Sequence, residues 1–380
     1  MTTYLLHDDA LRSHELRHEI AEPIMDPIAF IEHAGKRIVV GSDLEAPIFA
    51  TREDVVDEFW TFGSLGVEEL AVDESVPKQI IGAELTLRAL RKLGVSQVVV
   101  PPTFRLLTAD HLRSGGIEVV VDADAWIERR RRKTPWELEG IERAQRAVET
   151  AMLTAARMLR EAVPISGDRL RYEGEVLTSE YVREAMAAEL LAQGAESEEI
   201  LVQSGDACLE GHDIGRGPIL AGQSCVIDCF PRDRRTGVYT DMTRTFAPGG
   251  ASEELKSLHK HVRTALDVAF DSIKPGATGL YDKVAEHFHS QGFATQLHKT
   301  GSEPVKEGFT HALGHGVGLE VHERPYLGRR GDALKEGDVI AIEPGLYIRG
   351  VGGVRLEDTV VVTDRGVEHF TDPYPYDLEP

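Results

Sequence analysis

Four acidic residues stand inside or against apolar β-type runs, and this placement constrains the fold more than any other feature of the chain. Asp228 follows Cys225-Val226-Ile227, and Asp241 stands in Tyr239-Thr240-Asp241-Met242-Thr243-Arg244-Thr245. Glu343 follows Val339-Ile340-Ala341-Ile342 and precedes Pro344-Gly345, while Glu357 lies in Val354-Arg355-Leu356-Glu357-Asp358. A carboxylate taken out of water is costly unless it is paired, hydrogen-bonded or bound to a metal. A fold that buries these runs must bring the carboxylates to a shared source of positive charge. Gly314-His315-Gly316-Val317-Gly318 supplies a nitrogen ligand, on flanking glycines that allow close backbone approach. Two divalent cations would neutralise the four carboxylates and leave the imidazole uncharged. Oxygen-rich ligation with one imidazole suits Mn²⁺, Co²⁺ or Fe²⁺, with Zn²⁺ a further option. A thiolate site is not expected, because Cys208, Cys225 and Cys229 form no Cys-x-x-Cys pair.

The chain divides at a basic run, Arg129-Arg130-Arg131-Arg132-Lys133, read as a linker paired with acidic surface. Before it, short β-type runs at 37–40, 97–100 and 117–121 alternate with helical spacing at 84–93 and 107–112, which predicts a small α/β domain over 1–133. After it, Thr134, Pro135 and Glu137 form a capping-box start, and Ile141, Ala144, Val148, Ala151, Met152, Ala155 and Leu159 recur at helical spacing. Helices are also expected over 180–193, 253–273 and 281–291, and β runs over 224–228, 338–343 and 354–362. The layout predicts an α+β second domain over 134–380, with helices on one face of a largely antiparallel sheet.

Taken singly, each acidic residue would pass for a turn former or half of a surface ion pair, and His315 for a packed histidine. Their order decides otherwise. An Asp after an apolar strand is followed by an Asp before Thr243-Arg244-Thr245, then by Gly314-His315-Gly316-Val317-Gly318-Leu319-Glu320-Val321-His322-Glu323. An apolar run into Glu343-Pro344-Gly345 and then Arg355-Leu356-Glu357-Asp358 complete the series. This pattern resembles the pita-bread metallopeptidases, the family of methionine aminopeptidase, aminopeptidase P and prolidase. The α/β region that precedes it is similar to the extra domain of the proline-directed branch. The resemblance implies a pita-bread catalytic domain and two metal ions, Mn²⁺ foremost. Asp241 and Glu357 would bridge the metals, Asp228 would chelate one, and His315 with Glu343 would complete the other. It further implies a metal-bridging hydroxide as nucleophile, Glu343 as proton shuttle, and His212 and His322 as histidines that face the substrate. His311 would stand behind the ligands or touch substrate. The implied activity is hydrolysis of the bond between an N-terminal residue and proline, in a dipeptide or a longer peptide, by a homodimer.

The chain departs from the family in two places. Asp228 and Asp241 are 13 residues apart where 11 is usual, the insertion making a basic loop, Arg232-Asp233-Arg234-Arg235. Val238 stands where the family usually has Tyr after the loop glycine, Gly237. Arg232, Arg234 or Arg235 is a candidate for pairing with a substrate carboxylate, as are Arg324, Arg329 and Arg330 after Val321-His322-Glu323. A charged surface loop is the plainer reading of 232–235. His259, His261, His287 and His289 read as solvated helix-surface residues.

Composition narrows the partners. With 64 acidic against 42 basic residues the formal charge is −22, which opposes binding to nucleic-acid phosphates. No run approaches the roughly 18 apolar residues of a membrane span, and the start shows no signal peptide. Three cysteines read as reduced thiols. A cytoplasmic enzyme with a peptide substrate is the expectation. The alternatives are a creatinase-like, metal-independent hydrolase and a non-catalytic binding protein of the same fold; the retained ligands count against both.

Overall fold

Residues whose side chains alternate between two buried layers build the first of two units, Met1–Arg130 and Arg131–Pro380. The computed structural model describes every residue except Met1, His212 and Pro373. In the first unit six strands run in the order Glu58–Thr61, Lys36–Gly41, Ile28–His33, Tyr4–Asp8, Gln97–Val100, Glu118–Val121. The sheet is mixed: the two inner pairings along Ile28–His33 are antiparallel and the others parallel. Leu5, Ile31, Ile38 and Val40 face the helix Ile81–Lys92 on one side. Leu6, Phe30 and Val39 face Leu16, Ile20 and Trp126 on the other. The basic run is not a linker at its start, because Arg129, Arg130 and Arg131 end a helix, Ala123–Arg131. Its pairing with acidic groups holds: Arg129 engages Glu19 and Glu32, and Arg130 approaches Glu15.

In the second unit the helix Pro135–Glu161 starts at the expected capping box, with the Thr134 side chain accepting from the Glu137 N–H and Glu137 accepting from the Thr134 N–H. Its apolar stripe packs with the helix Ser179–Ala192 onto Ile200, Val202, Ile227 and Met242. Two more helices, Glu253–Ser272 and Leu280–Ser290, cover Ile340, Ile342, Val360 and Val362. The sheet beneath is antiparallel and eight-stranded, in the order Ile200–Ser204, Cys225–Cys229, Met242–Phe246, Glu357–Thr363, Val339–Ile342, Gly314–Gly316, Glu323–Tyr326, with Gly366–His369 also on Glu357–Thr363. The run expected over 354–362 is two strands. Gly352–Arg355 leaves the sheet at Leu356 to pair with Gly345–Ile348.

Strand parity positions the acids. Successive residues point to opposite faces, so Cys225, Ile227 and Cys229 enter the helix-covered core while Asp228 points away from it. The same parity turns Ile340 and Ile342 into the core and leaves Glu343 on the open face. No helix of the described residues is long and apolar enough to cross a membrane.

Candidate metal centre

The open face of this sheet lines a cavity of about 1050 Å³ that contains Asp228, Asp241, His315, Glu343 and Glu357. They come from five separate strands or strand ends. Asp241, His315 and Glu357 are buried and present ligand atoms within 4.8 Å of one another. His315 Nε2 stands 3.7 Å from Asp241 Oδ2 and 4.0 Å from both Glu343 Oε1 and Glu357 Oε1. These separations are too long for hydrogen bonds and suit atoms that converge on a cation.

The electrostatics say the same. Burial, reinforced by Asp228 and Glu343, pushes Asp241 well above the usual carboxylate range. Burial, then Asp241, Glu343 and Asp228, does likewise to Glu357. Burial raises Glu343 to about 8, with Arg355 opposing and Asp228 adding to the rise. Burial, helped by His322, lowers His315 to about 4. The His315 Nδ1–H donates to the Gly316 carbonyl at 3.1 Å, so a neutral ring turns the Nε2 lone pair toward the acids. Asp228 Oδ1 and Asp241 Oδ1 are buried without a hydrogen-bond partner. A neutral imidazole among carboxylates with orphaned oxygens is a donor set that fits divalent cations of the Mn²⁺, Co²⁺, Fe²⁺ or Zn²⁺ type.

Four residues that sequence reasoning did not single out complete the site. Arg355, buried, donates to Asp228 Oδ2 at 2.6 Å, to the Tyr347 hydroxyl at 2.9 Å and to Thr243 Oγ1 at 3.3 Å. Burial alone would disfavour its charge, but Tyr347, Asp228, Glu343 and Glu357 outweigh it and hold the guanidinium cationic. The Tyr347 hydroxyl in turn meets His311 Nε2 at 2.9 Å, while His311 Nδ1 donates to the Ala312 carbonyl at 2.7 Å. Thr243 Oγ1 donates to Glu357 Oε2 at 2.6 Å, and Thr359 Oγ1 accepts from the Asp241 N–H at 3.0 Å. The signal for Arg355 was in the Arg-x-Glu-Asp segment itself, whose arginine read as half of a surface pair.

The other predicted residues separate. His322 lines the cavity with its ring 4.3 Å from that of His315, and its neighbour Glu323 is tied to Lys133, the last residue of the basic run. His311 lines the cavity too. His212 lies outside the described residues. Arg232 pairs with Glu196 at 2.8 Å, Arg234 approaches the same carboxylate at 3.5 Å, and Arg324 pairs with Asp332. None of these, nor Arg235, Arg329 or Arg330, is among the residues lining the cavity. The lining instead carries Glu199, Glu210 and Asp213. His259 and His287 are half-buried rather than solvated, each with Nε2 enclosed and unpartnered.

Comparison with known proteins places this geometry. Residues 139–364 match the model of metallopeptidase family M24. The chain belongs to that family. It is 32% identical to a Xaa-Pro dipeptidase of Pyrococcus furiosus over 247 residues, 63% of this chain and 62% of that one, so the match spans less than two thirds of the relative's length. Its fold is that of the X-Pro aminopeptidase of Thermotoga maritima, with a TM-score of 0.76 at 21% identity over 100% of this chain and 97% of the other. A Xaa-Pro dipeptidase from Bacillus anthracis gives a TM-score of 0.77 at 22% identity, covering 99% and 94%. The α+β architecture, a curled antiparallel sheet under helices preceded by an α/β unit, is therefore the family's pita-bread arrangement.

Proposed function

We propose that this protein is a metal-dependent peptidase that cleaves the bond between an N-terminal residue and proline. The observation that carries the reading is the convergence of Asp228, Asp241, His315, Glu343 and Glu357 on one cavity, where Asp228 Oδ1 and Asp241 Oδ1 are buried without a hydrogen-bond partner. Two divalent cations, Mn²⁺ foremost, would be held by these five residues and would supply an activated water and polarisation of the scissile carbonyl.

The chain's own groups then have the following work. Glu343 has one oxygen toward His315 Nε2 and the other 3.7 Å from His311 Nδ1. It takes a proton from the attacking water and returns it to the prolyl nitrogen as the C–N bond breaks. His322, and His212 by the family resemblance, hydrogen-bond the substrate around the cleaved bond. Arg355 holds Asp228 Oδ2 and the Tyr347 hydroxyl in place, which leaves Asp228 Oδ1 for a cation. A prolyl amide has no N–H to donate, so shape and these histidines orient it rather than strand-like pairing.

The cavity lining supports a longer peptide over a free dipeptide. Among its described residues there is no lysine, and its one arginine, Arg355, is engaged by Asp228 and Tyr347. Glu199, Glu210 and Asp213 would repel the terminal carboxylate of a dipeptide. The test is to strip the protein with a chelator, restore Mn²⁺, Co²⁺ or Zn²⁺, and compare Ala-Pro with Ala-Pro-Ala. Metal-restored cleavage of the tripeptide at a higher kcat/KM is expected. Cleavage confined to the dipeptide would reverse the length preference, and no cleavage with any metal would favour a binding role. A homodimer is the proposed assembly, checked by light scattering.

A further inference from the structure

The strand Glu357–Thr363 has two faces, and its first two residues divide between them. Glu357 points into the cavity and receives Thr243 Oγ1. Asp358 points behind the sheet, where it meets Arg244, a side chain only 1% exposed. All five N–H donors of this guanidinium are satisfied. Nε donates to the Pro375 carbonyl at 3.0 Å, Nη1 to the carbonyls of Thr243 at 2.9 Å and Glu357 at 2.8 Å, and Nη2 to Asp358 Oδ1 at 2.8 Å and the Tyr374 carbonyl at 3.0 Å. Two of the five acceptors thus come from the C-terminal segment, and two more from the residue pair Glu357 and Asp358.

The segment is itself fastened. The Tyr376 hydroxyl donates to the second oxygen of Asp358, and over its ring stand the Arg244 guanidinium at 4.3 Å and that of Arg263 at 4.2 Å. Leu378 enters the core beside Ala247, whose N–H donates to the Leu378 carbonyl at 2.7 Å. Arg244 and Asp358 are thereby gripped from both sides, and the backbone that carries Glu357 is held at its carbonyl.

We propose that the segment 374–378, acting through Arg244, is a strap that positions Glu357 for cation binding from the far side of the sheet. The inference rests on the metal-centre reading above. Removing the strap strands buried N–H donors of a cation, a cost that the guanidinium relieves by turning away from the Glu357 carbonyl. Outer partners that orient a metal ligand are each worth about 10–100-fold in affinity, and the strap holds its ligand through backbone, carboxylate and ring together. Arg244 and the strap residues touch neither cation nor substrate, so they are positioning residues.

The experiment titrates Mn²⁺ into metal-free protein by calorimetry at a temperature well below unfolding. It compares the full chain with a chain ending at Asp372, with Tyr376→Phe and with Arg244→Lys, and follows folding by circular dichroism. A folded truncated chain should bind Mn²⁺ about 10–100-fold more weakly at one site or more, with a smaller loss in Tyr376→Phe. Arg244→Lys, which keeps the charge and loses the fork, should show the larger defect even with Tyr376 present. Wild-type affinity in the folded truncated chain overturns the strap. If truncation prevents folding, wild-type affinity in both point variants overturns it equally. A full chain that binds no Mn²⁺ is a different result, which removes the metal centre itself.

Discussion

At the scale of single residues, Arg355 changes the accounting of the site. Four carboxylates and two divalent cations balance only while no other charge is counted; the buried guanidinium on Asp228 leaves room for one further anion, such as an ionised water. Arg355 also bears the repulsion of the acids when cations are removed. Arg355→Met should therefore destabilise the metal-free protein by about 3–5 kcal/mol, the cost of orphaning a buried charge, and Mn²⁺ should restore much of it. Denaturant unfolding in EDTA and in Mn²⁺ reads the difference, and an equal loss in both would contradict this role. His7 offers a second residue-level test. Burial, with Arg105 adding to it and Asp8 opposing, lowers it to about 4 from an ordinary 6.5. The folded state then holds the ring neutral beside Thr108 Oγ1 while the unfolded chain takes up a proton. The contribution of His7 to stability is present above its ordinary pKa of 6.5 and is lost as pH falls toward 4, by roughly 3 kcal/mol at 1.36 kcal/mol per pH unit. His7→Gln should flatten the pH dependence of unfolding in that window; an unchanged slope would refute the assignment.

At the scale of elements, the helix Pro135–Glu161 carries a glycine in its interior, at position 140. Helix propensity alone predicts that Gly140→Ala would stabilise by about 1 kcal/mol. A Cβ there would lie 2.3 Å from Thr236 Oγ1 and 2.5 Å from Val238 Cγ2, inside van der Waals contact. Overpacking of this kind costs about 1–3 kcal/mol, so the substitution should destabilise, seen as a lower urea midpoint at unchanged m-value. A gain in stability would show that the loop 233–238 yields. Val238 itself is fully buried against Ile141 and Val317, so the side chain that replaces the family's usual tyrosine serves packing in this chain. The basic insertion is likewise tied into the fold. Arg232-Asp233 pairs as a strand with Ala195-Glu196, and Asp233 accepts from Arg143 at 2.9 Å.

At the scale of the whole molecule, cation binding should be coupled to folding of the second unit, because the unfolded chain has no preformed site. Mn²⁺ at 100 times its dissociation constant should add about 2.7 kcal/mol of stability and raise the unfolding temperature. Glu357→Ala should abolish most of that increment and the peptidase activity together; a full Mn²⁺-dependent rise in the variant would remove Glu357 from the site.

The local signals of the chain determined much of this by themselves. The capping box at Thr134 and the helices after it stand within a residue or two of where spacing puts them. Asp228, Asp241, Glu343 and Glu357 drew notice because a carboxylate in an apolar strand is costly unless it is paired, hydrogen-bonded or bound to a metal, and with His315 they became candidate ligands through the order of their motifs. Tyr4–Asp8 and Ile28–His33 were not, since a sheet covered on both faces shows no polar alternation. What only the tertiary structure decided is where the cations and anions of distant segments meet. Arg355 meets Asp228 across 127 residues, Arg244 meets Asp358 across 114, and Arg324 goes to Asp332 rather than to the cavity. An arginine announces its charge in the sequence but not its partner, because the partner is chosen by strand order and by which face of the sheet each side chain leaves.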